Sequence, residues 1–173
     1  MKRIVIGFVF VLSMVLATAA CGADGVKMGS VDIQKVLLNS DAGKEAKEQL
    51  AGKGNKYEGE KNSREEELKQ LKGDLEKQSV VLANDARKNK EQLFMQKRKE
   101  LDRFLKDAQE DLQAKNDELT SHLVEQIVKV IQTYGREKGY FFIFVKNDSM
   151  VFVDEKADLT DEILKSFNSS RAK

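Results

Sequence analysis

Cys21 is the only cysteine in the chain and His122 the only histidine. Nucleophilic catalysis and soft-metal binding both need two or more such groups to converge on one point. No second thiol or imidazole exists to meet either one. His122 sits between Ser121 and Leu123 in a helical stretch and reads as a helix-surface or interhelix residue. Glu65, Glu66 and Glu67 occupy successive faces of a helix among lysines, which suits a solvated face better than a paired-carboxylate site. Gly52-Lys53-Gly54 is the one fragment that could cradle a phosphate, but Tyr57 stands where a further glycine is needed and no strand precedes it. Asn147 and Asn168 head glycosylation sequons that matter only in a glycosylating pathway. The expectation is therefore no catalytic, metal or cofactor-binding residue, and no cofactor.

The thiol has a different reading. Lys2 and Arg3 precede an apolar run from Ile4 to Leu16, and Ala17, Thr18, Ala19 and Ala20 lead to Cys21. This is the three-part pattern of a secretory signal, too short and wrongly flanked for a spanning helix. Residues 1–20 are expected to be removed, with cleavage between 19 and 23. Cys21 is a candidate lipidation site, although Thr18 occupies the position where lipoprotein signals usually carry leucine. Simple cleavage nearby is the alternative. Beyond this segment no apolar stretch approaches membrane-spanning length.

Thirty basic side chains against 29 acidic ones exclude nucleic acid as a main partner, since phosphate binding needs a basic excess. The absence of proline permits very long helices. Val26 to Val31 reads as a strand, Asp32 as the cap of a short helix through Leu38, and Ser40 as the cap of a second helix. In that second helix Leu68, Leu71, Leu75 and Leu82 fall at coiled-coil spacing. The rhythm resumes in Phe94, Leu101, Leu105, Ala108, Leu112, Leu119, Leu123, Ile127, Val130 and Tyr134. The interval 79–85 reads as a reversal with Asn84 capping the return helix. Residues 41–135 then form an antiparallel helical hairpin with its tip near 79–88, reaching on the order of 60 Å at ~1.5 Å per residue. Gly52, Gly54 and Gly59 predict bending or fraying near the base of the outgoing helix.

Gly139 reads as a helix C-cap. Tyr140 to Val145 and Met150 to Val153 read as two strands joined by a four-residue hairpin loop, and Thr160 as the cap of a last helix through Phe167. Residues 26–40 and 136–168 thus form a body of about three strands and two short helices, giving an α+β fold. The run Tyr140 to Val145 carries no charge and must be buried on both faces. One chain has too little structure to cover it, so an obligate oligomer is expected, with Met28, Val31, Phe142, Phe144, Val151 and Val153 in its shared body.

The order of VKMGSVDIQKVLLNSDAGKEAKEQL, a charged helical hairpin, and GYFFIFVKNDSMVFVDEKADLTDEILKSFN resembles the Skp (OmpH-like) family of periplasmic chaperones over nearly all of residues 26–167. The resemblance is carried by Val31-Asp32, Lys35-Val36-Leu37, Ser40, Gly43-Lys44 and Ala46, and by the run from Asp158 to Leu164. It implies a homotrimer whose strands build a small barrel-like body, with three helical tentacles around a cavity that holds unfolded outer-membrane proteins. It further implies no enzymatic activity and no nucleotide. Residues near the tip, Val80, Val81, Leu82, Leu93, Phe94 and Met95, are the candidate contacts to such a partner, or alternatively close the hairpin's own seam. The basic residues Arg87, Lys88, Lys90, Lys97, Arg98, Lys99, Arg103 and Lys106 leave contact with a membrane surface open. The alternative function is a structural or adaptor coiled coil of the cell envelope, lipid-anchored if Cys21 is modified.

Overall fold

The computed structural model describes residues 26–78 and 84–171; residues 1–25, with Cys21 and the signal-like segment, lie outside them, as do Val80, Val81 and Leu82. The chain runs β1 (Met28–Val31), α1 (Ile33–Asn39), α2 (Asp41–Gln78), α3 (Asn84–Lys138), β2 (Phe142–Val145), a short 3-10 turn (Glu155–Ala157) and α4 (Thr160–Arg171). The fold is α+β, a small body with a long helical hairpin.

Strands β1 and β2 pair in parallel, with Met28 opposite Phe142, Gly29 opposite Ile143, Ser30 opposite Phe144 and Val31 opposite Val145. Parallel neighbours cannot be joined by a tight turn and need a crossover. Here the crossover is the entire hairpin, α2 out and α3 back. Gly139 ends α3 at φ 69°, a conformation open to glycine and costly for other residues, and this sharp stop turns the chain onto β2.

Two expected elements take a different form. Met150 to Val153 is irregular, so the described part of one chain has two strands rather than three. The side chain of Asn147 accepts from the Ser149 N–H at 3.0 Å and its carbonyl from the Met150 N–H at 2.9 Å. The chain leaves this turn without doubling back on β2 and reaches β1 instead, where Ser30 and Asp158 form an isolated bridge. The base of α2 is also unbroken: the helix passes through Gly52, Gly54 and Gly59, because cross-helix contacts described below offset the weak local propensity.

The core belongs to the body. Val31, Val36, Ala42, Leu123, Ile127, Leu159, Ile163 and Phe167 form one cluster drawn from β1, the start of the outgoing arm, the end of the returning arm and α4. Beyond this cluster, the only buried hydrophobic residues in the described part of the arm are Leu101 and Ala108, 9% and 8% exposed.

Helix starts are set by local hydrogen bonds. The Asp32 carboxylate caps α1 by accepting from the Lys35 N–H at 2.8 Å, as its sequence position implies. At α4 the capping carboxylate is Asp158, not Thr160. Asp158 Oδ1 accepts from the N–H and hydroxyl of Thr160, at 3.0 and 2.5 Å, while the buried Thr160 Oγ1 accepts from the Asp32 N–H at 3.0 Å. Lys146 donates to the other Asp158 oxygen at 2.6 Å. One carboxylate therefore ties the end of β2 to the start of α4 and, through Thr160, to the end of β1.

Burial alone would raise the Asp158 carboxyl, but Lys146 and the two Thr160 donors outweigh it and lower it to about 2. A folded-state value below the unfolded one stabilises the fold above about pH 4, and this stabilisation drains away as pH falls toward 2. Urea denaturation of Asp158→Asn is expected to show a loss of about 1–2 kcal/mol at pH 6, allowing for partial solvent screening, with the difference from wild type shrinking as both are taken toward pH 2.

Candidate interaction surfaces

Alternation along β2 sends Ile143 inward, against Gly135 of α3, and Phe142 and Phe144 outward. The two outward rings stack at 5.8 Å between centroids, and Phe141 meets Phe142 edge-on at 4.9 Å. Phe142 and Phe144 are each half exposed, Phe141 is 71% exposed, and Met28, opposite Phe142 in register, is 54% exposed. Val151 and Phe152 follow at 98% and 81%. As expected of a single chain too small to cover the run from Tyr140 on both faces, one sheet face packs on the core and the other is bare. Val153 lies half-buried in an adjoining groove of about 710 Å³, which Ile33 and Val145 also line. Val31, expected alongside these residues, is fully buried in its own chain's core and contributes nothing to the outer face. Contiguous apolar surface of this kind marks a contact site.

The arm is organised around a cluster that the heptad pattern alone does not reveal. Tyr57 of α2 meets Phe104 of α3 edge-on at 5.9 Å and donates its hydroxyl to Asp111 at 2.5 Å. Lys53 pairs with the same Asp111 carboxylate. Arg64 lies over the Phe104 ring at 4.6 Å and binds Glu60 at 2.7 Å. Hydrogen bonds from Lys53 and Tyr57 hold the Asp111 carboxyl below the ordinary range, and the bond to Asp111 raises the Tyr57 hydroxyl. Nearer the tip, Lys97 reaches across to Glu67 at 2.9 Å, a contact that raises the lysine. Lys53 thus serves the seam between helices, inside a helix rather than in a phosphate loop. Tyr57 was legible as an apolar anchor; Phe104, three residues after Leu101 and four before Ala108, keeps the same heptad phase, but its neighbour Leu105 was the residue expected there.

Of the candidate contacts near the tip, the described ones divide. Leu93 and Met95 are exposed, at 41% and 50%, while Phe94 is half-buried. Met95 lies in an open groove of about 540 Å³ that Lys88, Glu91, Lys99 and Arg103 also line. Leu105, expected in the seam, is 39% exposed and borders a second groove of about 370 Å³ with Tyr57, Phe104 and Leu112. His122 is on the helix surface, bonded to Gln126 one turn on at 2.8 Å. Among the described residues no group of His, Cys, Asp and Glu could hold a metal ion, and no helix is long and apolar enough to cross a membrane.

Comparison with known proteins matches residues 27–167 to the family described as outer membrane protein (OmpH-like). An uncharacterized protein of Aquifex aeolicus (strain VF5) is 28% identical over 138 residues, covering 80% of this chain and 83% of that protein. A crystal structure of a candidate OmpH-like outer membrane chaperone from Caulobacter crescentus CB15 superposes with a TM-score of 0.79 over 86% of this chain and 88% of that one. At 14% identity this last likeness is one of fold.

If Tyr57, Phe104 and Arg64 pin the arm, Phe104→Ala should lower the local opening energy there by about 1–3 kcal/mol. Amide hydrogen exchange should then accelerate around residues 50–64 and 100–112 and remain unchanged in α4. Tyr57→Phe, which keeps the ring and loses only the hydroxyl, should have the smaller effect.

Proposed function

Because the chain belongs to the OmpH-like family, we propose that it is an ATP-independent holdase chaperone of the periplasm, which binds unfolded outer-membrane proteins and prevents their aggregation. The observation that carries this reading is the arm: two helices of 38 and 55 residues, stitched by a thin seam, that leave Leu93, Met95 and Leu105 exposed among dense charge. Unfolded barrel proteins display apolar strands and unpaired edges to water, and they aggregate through both. Scattered apolar contacts on a charged wall hold such chains weakly at many points. Weak contacts permit release without a nucleotide-driven step.

The assembly proposed is a homotrimer whose body is shared between chains. The bare face of β2 supports it, since stacked Phe142 and Phe144 with Met28 and Val151 offer an apolar surface that a second copy can cover. Met150 to Val153, unpaired in one chain, has the composition of a strand awaiting a partner edge. Export by the segment 1–20 places the protein where its clients pass. Lipid attachment at Cys21 would add an anchor without changing the mechanism.

The decisive experiment dilutes an unfolded outer-membrane barrel protein from denaturant into buffer with this protein and no nucleotide, and follows light scattering. Scattering should be suppressed near one assembly per client. Removing one heptad from each arm, residues 69–75 with 93–99, should preserve the oligomer and reduce protection of a large barrel more than of a small one. Aggregation that proceeds as in buffer alone would point instead to a structural coiled coil.

Phe142→Asp and Phe144→Asp should each dissociate the oligomer, since burying an unpaired carboxylate in the shared face costs several kcal/mol. Multi-angle light scattering should report monomers that keep much of their arm helix by circular dichroism. A compact wild-type monomer at micromolar concentration would overturn the assembly.

A further inference from the structure

The arm is mounted on the body at two points of different construction. Its returning leg, α3, enters the core as continuous helix through Leu123 and Ile127. Its outgoing leg begins at a joint of one residue. Ser40 separates α1 from α2, with an extended backbone at φ −68° and ψ 154°, and is fully buried. All its polar groups are used inside the joint. Its N–H donates to the Val36 carbonyl and its own carbonyl accepts from the Lys44 N–H, both at 3.0 Å. Its hydroxyl donates to the Leu37 carbonyl and accepts from the Gly43 N–H, also at 3.0 Å each.

Gly43 closes the joint sterically. A Cβ built there would overlap the Leu37 carbonyl oxygen and lie 2.9 Å from its carbon. Both are backbone atoms, so α1 and α2 would have to separate or reorient. The α4 helix braces the joint from outside. The Asn168 side chain accepts from the Asp41 N–H at 3.2 Å, capping the first residue of the arm from another element, and Arg171 approaches Glu45 one turn on, at 3.8 Å. The exposed ion pair adds little by itself; the cap satisfies an amide that the helix start leaves without an intrahelical acceptor.

A hairpin held on both legs is a braced lever, and one held on a single leg can swing. We propose that Ser40, Gly43 and Asn168 are positioning residues that fix the direction in which the arm leaves the body, and so set the span between arms and the size of unfolded chain admitted. The last step rests on the chaperone reading; the first does not. Lys72 is about 45 Å along α2 from the joint, so each 5° of re-aiming would move it by about 4 Å.

Spin labels at Lys72→Cys in the arm and Glu162→Cys on α4, in a Cys21→Ser background with labelled chains diluted by unlabelled ones, measure that direction by pulsed dipolar spectroscopy. The wild type should give one narrow distance distribution. Gly43→Ala should shift its mean and Ser40→Ala should broaden it, while total helix content stays the same. Asn168→Ala should broaden it less, and Asn168→Asp, which keeps the acceptor oxygen, should restore it. Should Gly43→Ala fail to fold, the Ser40 and Asn168 series decides alone. Unchanged distributions in Ser40→Ala and Asn168→Ala would overturn the joint. Changed distributions with undiminished protection of a large client would leave the joint standing and remove the chaperone role of the arm's pose.

Discussion

Four rungs of parallel pairing between β1 and β2 impose the shape of the molecule. The strands lie more than a hundred residues apart in sequence and point the same way, so the chain between them must leave the sheet at one end and re-enter at the other. A helix is the usual crossover, and it normally lies on the sheet. Here the crossover is a long hairpin of which only the base touches the sheet and α4. A two-stranded sheet has little stability of its own. It is held by α4 packed beneath it and by the Asp158 network, which joins the ends of both strands to that helix.

The two halves of the chain are stabilised by different physics. The body has a dry cluster in which Val31, Val36, Ile127, Ile163 and Phe167 are almost wholly removed from water. The arm has a seam narrow enough that charged side chains complete it. Arg64 covers Phe104, Asp111 gathers Lys53 and Tyr57, and Glu67 meets Lys97. Such a seam fixes register through a few specific contacts while leaving most of the arm's surface wet. A wall of this kind can touch an unfolded chain at many places without offering one deep pocket, which suits a holding function better than recognition of one small ligand.

The same division explains where apolar surface is left uncovered. In the body, Phe142 and Phe144 are rigidly presented by a strand, stacked, and adjacent to Met28, a geometry suited to permanent coverage by a matching surface. In the arm, Leu93, Met95 and Leu105 are separated by charge. Rigid, contiguous exposure favours assembly, and dispersed exposure favours weak and changeable contact.

The helical hairpin, the Asp32 cap and the Gly139 stop could be read from the sequence, because each depends on residues within a few positions of one another: heptad spacing, a capping carboxylate, a glycine at a helix end. The strand character of Phe142 to Val145 was legible for the same reason. Partner choice was not. The expected hairpin with Met150 to Val153 gave way to pairing with β1, and Thr160 ceded the cap to Asp158, because both depend on groups brought together from opposite ends of the chain. The pinning of α2 by Tyr57, Phe104 and Asp111 was hidden likewise, and local propensity at Gly52, Gly54 and Gly59 suggested bending or fraying in what is one continuous helix. Local hydrogen bonding and periodicity are encoded in neighbouring residues, whereas which face stays bare, which carboxylate is shared and where the arm is aimed are decided only when distant segments compete for the same space.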